Sequence, residues 1–217
     1  MRDDITNIAI EDYLEALIPA RSEIFSELEL RARAHGLPLL GPVEGQFIYL
    51  LAKSLGVREA LEIGTATGYA AMWILRAVVP AGGRLTAIER QPERYKLARE
   101  YTTRAGYAER LVIHEGDWLT VLETLHGPYD MIFLDILRNL SDEHEALYAL
   151  DLCLPRLRPG GLLIADNVLC NALVIEEEAA PTVRGIQAFN RRIMEHPQLE
   201  SVIIPLRDGV ALCRKKD

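Results

Sequence analysis

The sequence is poor in cysteine, in positive charge and in long apolar runs, and each shortage excludes something. Its three cysteines, Cys153, Cys170 and Cys213, are widely spaced, with no Cys-x-x-Cys pair and no histidine at zinc spacing. They offer neither a disulfide framework nor a structural zinc site, and buried reduced thiols are expected. Lys and Arg total 24 against 32 Asp and Glu, a formal charge of -8. No global basic field can therefore hold phosphate backbones or an anionic membrane, and any nucleic-acid contact has to use a local patch. No apolar run reaches the roughly 18 residues a membrane helix needs. The start, Met1-Arg2-Asp3-Asp4, is acidic and lacks the apolar core of a signal peptide. A soluble, cytoplasmic protein is the expectation.

What is present is a chain of 217 residues, 49% hydrophobic and 26% charged, enough to bury a sizeable core. No repeat or composition break divides it, so one domain is predicted over 1–217, with a helical extension over 1–36 and a core over 37–217. Short apolar runs bounded by Gly, Pro or acidic residues predict strands over 60–63, 84–88, 111–114, 131–134 and 161–165. Helical patterns lie between them, over 69–79, 92–105, 118–124 and 142–154. Repeated βα units imply a parallel sheet with helices on both faces, and buried parallel strands read as continuous apolar runs, as these do. Residues 7–34 carry apolar positions at helical spacing, broken at Pro19, which suits helices covering the sheet or forming a dimer face. A helix over 183–195 follows the fifth strand. Residues 202–205 and 210–213 then flank Arg207-Asp208-Gly209 as a closing antiparallel hairpin. The prediction is a doubly wound α/β fold of seven strands, the last pair antiparallel.

The stretch Leu61-Glu62-Ile63-Gly64-Thr65-Ala66-Thr67-Gly68-Tyr69 reads as a strand, a glycine turn and a helix start. Ligands of such sheets bind outside the carboxyl ends of the strands. A phosphate loop of the G-x-x-x-x-G-K-[ST] kind is absent. Ala66 occupies the middle glycine position of a dinucleotide fingerprint, and a carboxylate at Glu62 repels a pyrophosphate while favouring a cation. The second strand ends at Glu89, which can accept both hydroxyls of a ribose. The third ends at Glu115-Gly116-Asp117-Trp118, where Asp117 can accept from an adenine amino group and Trp118 can pack on the ring. Together these groups suit S-adenosylmethionine (SAM). Taken singly, each acid is explained as well by a helix cap or a solvated side chain.

The fourth strand ends at Asp135 and the fifth at Asp166-Asn167. Two carboxylates and an amide oxygen are hard donors, matching a Mg²⁺-type site, whereas zinc prefers His or Cys. A cap or turn role for Asp166-Asn167 is the structural alternative. The order EIGTATGY, TAIERQPE, HEGDW, YDMIFLD, IADNVL and IIPLRDGVALCRKK resembles the cation-dependent, catechol-type class I SAM-dependent O-methyltransferases over residues 37 to 216. No N-P-P-Y motif of amine methyltransferases is present. The resemblance implies a Rossmann-like fold, a SAM pocket including Glu62, Gly64, Gly68, Glu89, Gly116, Asp117, Trp118 and Asp135, and a metal held by Asp135, Asp166 and Asn167. It also implies that Leu40 touches the cofactor through its backbone. Tyr13 to Leu17, the Gly64-Thr65-Ala66 loop, Ile88-Glu89-Arg90 and Asn190 through His196-Pro197 are similar to the branch that methylates 5-hydroxyuridine at the tRNA wobble position. A homodimer is implied as well.

Two positions depart from the family. Ala70 stands where Ser is usual, which removes one hydroxyl contact to SAM. Arg138 stands where the family places a Lys proposed as general base, and a guanidinium stays protonated at physiological pH. The expected reaction is an in-line transfer to a metal-bound acidic hydroxyl, with Asp135 on the metal and Arg138 stabilising the oxyanion or gripping a carboxylate or phosphate. The acceptor is either a catechol-like small molecule or tRNA. The clusters Arg90/Arg94/Lys96/Arg99, Arg191/Arg192 and Arg214/Lys215/Lys216 suit tRNA phosphates or merely solvated faces. Two other classes stay open: a SAM-binding protein without transferase activity, and a nicotinamide-binding reductase.

Overall fold

The computed structural model describes residues 5–217; the acidic start Met1-Arg2-Asp3-Asp4 lies outside the described residues. Seven strands form a sheet in the order β3-β2-β1-β4-β5-β7-β6: β1 Glu59–Ile63, β2 Arg84–Glu89, β3 Leu111–Glu115, β4 Tyr129–Leu134, β5 Leu157–Asp166, β6 Leu199–Ile204 and β7 Val210–Lys215. The predicted doubly wound α/β class holds. The chain divides into two compact units, Leu14–Val121, and Leu122–Asp217 with the stretch up to Tyr13.

In the first unit β1 pairs parallel with β2, and β2 with β3. The connecting helices are α4 (Tyr69–Val78) and α5 (Pro92–Arg104). Helix α4 buries every residue except Arg76, as an apolar segment without a polar face must. Helices α1 (Ile8–Leu17) and α2 (Glu23–His35) stop and start on either side of Pro19, as predicted. Helix α2 packs on other helices: its Phe25 meets Tyr69 and Trp73 edge-on, at 5.8 and 5.1 Å between ring centroids. Beside them Glu29 accepts from Arg21 at 2.7 and 2.9 Å and from the Tyr69 hydroxyl at 2.7 Å. Helix α1 buries none of its residues.

Helix α3 (Pro42–Ser54) was not predicted. Proline is compatible with a first helical turn. Gly45 answers to packing: a Cβ there would lie 2.2 Å from the Trp73 indole nitrogen, so the ring occupies the space a side chain would need.

In the second unit β4 and β5 are parallel, and β7 lies antiparallel between β5 and β6. Strand β5 starts four residues before its predicted start at Gly161. The Arg158-Pro159-Gly160-Gly161 stretch that reads as a turn is carried within the strand by a shift of register between Tyr129↔Leu157 and Met131↔Leu162. Helix α6 (Trp118–Thr124) runs from the first unit into this one. Helix α7 (Glu143–Arg156) begins at Asp142, whose side chain accepts from Glu145 N, while the Glu145 side chain accepts from Ser141 N just before the cap. Helix α8 (Pro181–Glu195) buries Val183, Ile186, Phe189 and Ile193 along one face, and Gly185 lets it approach the backbone of Asp142.

All three cysteines are buried and unpaired, and burial pushes the Cys153 thiol up to about 12 and the Cys213 thiol up to about 11. No helix among the described residues is long and apolar enough to cross a membrane. Tyr69→Phe removes one donor from the buried Glu29 carboxylate while leaving the aromatic packing in place. It is expected to lower stability by about 1–3 kcal/mol in urea unfolding, and an unchanged midpoint would contradict the pairing.

Candidate functional site

Parallel pairing brings strand ends out at one edge, and the register places Ile63 beside Ile88 and Glu89 beside Glu115. The turn after β1 is pinned onto β2: Gly64 N and Thr65 N both donate to Ile88 O, at 3.0 and 3.1 Å. Gly64, Ala66 and Gly68 have φ of 94°, 47° and 82°, so the loop doubles back through left-handed conformations. Gly68 is required twice over, since a Cβ would also lie 2.8 Å from the Ala98 Cα on α5.

Glu89 is buried and holds this loop. One carboxylate oxygen accepts from Ala66 N at 2.9 Å, and the other accepts from Gln91 N at 2.8 Å. Each oxygen retains lone-pair capacity for a further donor such as a ribose hydroxyl. Glu62 is fully enclosed; its Oε2 accepts from the Thr65 hydroxyl at 2.6 Å, while Oε1 has no hydrogen-bond partner. Burial, helped by the nearby Glu89 charge and opposed by the Thr65 bond, pushes its carboxyl up to about 8. At neutral pH, Glu62 therefore favours the protonated form until a cation arrives.

Gly116 N donates to Glu89 O at 3.0 Å, tying the third strand end to the second. Asp117 is exposed and its Oδ1 accepts from Leu119 N at 3.0 Å, so it caps α6 as well as being available to a ligand. Trp118, Leu40 and Ala70 are each buried to within 7% exposure. Leu40 immediately precedes Gly41, whose φ of 83° starts α3.

In the second unit Leu134 pairs with Ala165, so Asp135 and Asp166 follow at adjacent strand ends. Asp166 is buried and its Oδ1 accepts from Asn167 N at 2.6 Å; Asn167 itself is left-handed, with φ 62°. No cluster of three or more His, Cys, Asp and Glu gathers at metal-holding range among the described residues. If Asp135, Asp166 and Asn167 shared a cation, they would offer it two carboxylates and one amide oxygen, a hard donor set that suits a divalent cation with positions left for water or substrate.

Arg138 lies in a 3₁₀ turn, Leu137–Asn139, just after β4, and pairs with Asp208 at 3.3 Å. Sequence reasoning treated Asp208 only as a turn residue. Its neighbours Arg207 and Gly209 supplied the turn pattern, and nothing in a single sequence links it to position 138.

The sequence family described as O-methyltransferase matches residues 21–216. The chain belongs to the O-methyltransferase family. This O-methyltransferase is 31% identical over 216 residues to caffeoyl-CoA O-methyltransferase 2 of Zea mays, covering 92% of this chain and 79% of that protein. It is 29% identical over 216 residues to catechol O-methyltransferase of Niastella koreensis, covering 94% and 95%. The solved O-methyltransferase from Bacillus cereus, in complex with SAH, matches with a TM-score of 0.85 at 27% identity, covering 100% of both chains. Family membership sets aside the nicotinamide-binding alternative.

Glu62 generates a test with a definite sign. Between its ordinary value of 4.5 and about 8, the unfolded chain has released this proton while the folded chain keeps it. Its contribution to stability therefore falls as pH rises through that window. Glu62→Gln mimics the protonated form and lacks this dependence. In paired urea unfolding at pH 5.5 and 8.5, the variant should gain on the wild type by on the order of a few kcal/mol. A pH-independent difference would contradict the raised carboxyl.

Proposed function

We propose that this O-methyltransferase moves the methyl group of SAM to an acidic hydroxyl of a small hydroxylated aromatic, with Mg²⁺ or a similar divalent cation held by Asp135, Asp166 and Asn167. The observation that carries the reading is the placing of Asp135 and Asp166 at adjacent, in-register strand ends, followed by a left-handed Asn167. Support for SAM comes from the Bacillus cereus relative, which binds SAH, the demethylated product of SAM. Glu62, Gly64, Gly68, Glu89, Asp117 and Trp118 are the proposed contacts in the first unit, with Leu40, Ala70 and Gly116 beside them.

Transfer is a displacement at the methyl carbon: the acceptor oxygen forms a new O–C bond as the S–C bond breaks, and neutral SAH leaves. A bound divalent cation supplies Lewis acidity that lowers the pKa of the acceptor hydroxyl. Asp135 and Asp166 orient the acceptor side, and this fixed placement supplies proximity. Arg138 does not take the proton, because its guanidinium is already protonated; it stabilises negative charge on the acceptor, and the proton passes to water. Such a site works best on hydroxyls that are already acidic, as in catechols.

The C-terminal basic cluster favours a small acceptor over tRNA. Arg214 pairs with Glu200 and Asp217, Lys215 donates to Leu154 O and Leu157 O, and Lys216 donates to Pro197 O. Arg192 faces Asp151 at 3.9 Å. Arg214 and Arg192 are thereby partly offset by carboxylates, which weakens this patch for phosphates. For the proposed homodimer, α1 offers exposed Ile8, Ile10, Tyr13, Leu14 and Leu17.

The test is methyl transfer from labelled SAM, with Mg²⁺ or with EDTA, to a catechol panel and in parallel to tRNA carrying 5-hydroxyuridine. Label is expected in catechols, only with the metal, and Asp135→Ala should fall to background in saturating Mg²⁺. Label in tRNA alone would reassign the acceptor. SAM binding without transfer to either would leave a binding protein.

A further inference from the structure

We infer that Asp208, in the turn between β6 and β7, is a positioning residue for the acceptor side: one carboxylate fixes both Arg138 and the loop that carries Asn167. The inference rests on the function proposed above. Asp208 is 8% exposed, unusually enclosed for an acid in a hairpin turn, and a buried carboxylate needs partners for its charge. Both of its oxygens have one. Oδ2 accepts from Arg138 Nη1 at 3.3 Å, and Oδ1 accepts from Asn171 N.

The same turn grips the loop after β5 through its backbone. Asp208 O accepts from Leu169 N at 2.9 Å, and Gly209 O accepts from Val168 N at 3.1 Å. Gly209 has φ 86°, and a Cβ on it would lie 2.3 Å from Leu169 Cγ, so the loop is seated directly against the turn. From α8, Asn190 Nδ2 donates to Val168 O at 2.7 Å. These attachments hold a path that the loop does not adopt by itself. Asn167, Cys170, Asn171 and Ala172 all have left-handed φ, of 62°, 48°, 53° and 66°, and such conformations persist when their surroundings over-determine them.

Arg138 is the other dependent. Its side chain is 44% exposed and emerges from a single 3₁₀ turn, and the bond to Asp208 ties its guanidinium down. A guanidinium has five N–H donors, and the bond to Asp208 leaves the others for an acceptor oxyanion. Asp208 thus acts through Arg138 and Asn167, and is itself no catalytic residue.

The test uses the full chain as wild type, Asp208→Asn, Asp208→Ala, Arg138→Gln and the Asp208→Asn/Arg138→Gln double variant. Three quantities are measured: Mn²⁺ binding to the SAM-free protein by electron paramagnetic resonance, SAM affinity by calorimetry, and KM and kcat for a catechol. Asp208→Ala is expected to weaken Mn²⁺ binding about 10–100-fold, the usual scale for a residue behind a metal ligand, with SAM affinity unchanged. Asp208→Asn keeps an oxygen for Asn171 N, so Mn²⁺ binding stays near wild type while catalysis of catechol methylation drops to the level of Arg138→Gln. The double variant is then no worse than Arg138→Gln alone, the mark of two residues acting as one unit.

An active wild type whose Asp208 variants match it in Mn²⁺ binding and kinetics overturns the inference and leaves the function standing. Parallel loss of SAM affinity in Asp208→Asn overturns it too, since that marks general damage to the fold. A wild type that binds no Mn²⁺ and transfers no methyl group overturns the function, and the inference with it.

Discussion

Parallel strand pairing is the constraint on which the rest depends. Within each unit parallel strands share a direction, so their carboxyl ends emerge together and acids at those ends become neighbours: Glu89 lies in register with Glu115 in the first unit, and Asp135 and Asp166 follow adjacent strands in the second. Like charges so close are costly in a low-dielectric setting. The structure answers this with a different device at each position. Glu89 takes two backbone N–H groups. Glu62, left with one hydrogen bond and full burial, is driven toward its protonated form. Asp166 accepts from Asn167 N, and Asp208 is matched by Arg138 and Asn171 N.

These devices also build the loops. Glu89 reaches across to Ala66 and so fixes the glycine turn after β1, while Gly116 N bonds back to the Glu89 carbonyl. Position 89 is therefore structural and ligand-competent at once, which weakens the usual contrast between a bland and a functional reading of an acid. Asp117 shows the same duality, as a helix cap that remains exposed. Several of the 32 acidic residues sit at strand ends, where they suit positively charged ligands.

How far the sequence could be read depended on whether an element is local. The five parallel strands are apolar runs between punctuating residues; β1 and β4 are buried almost throughout, which leaves no alternation to decode, whereas β3, at the sheet edge with no buried residue, was visible from its bounding residues alone. The hairpin was visible from Arg207-Asp208-Gly209. Helix α3 was not, since Gly45 serves the Trp73 ring on another helix, a contact with no trace in local pattern. The early start of β5 was hidden by Pro159 and two glycines that normally signal a turn. At the candidate site, the strand-end acids were legible by type and position. The hold of Asp208 on Arg138 joins residues 70 positions apart and becomes visible only in three dimensions.

The acidic strand ends of the first unit are proposed to accept a positively charged nucleoside. Calorimetric titration with SAM and with SAH at pH 7, in buffers of different ionisation enthalpy, tests this most directly. SAM is expected to bind with release of a proton, because a sulfonium draws the Glu62 carboxyl down from about 8, and neutral SAH with less release. SAM binding with no proton release, or binding of NAD in place of SAM, would contradict it.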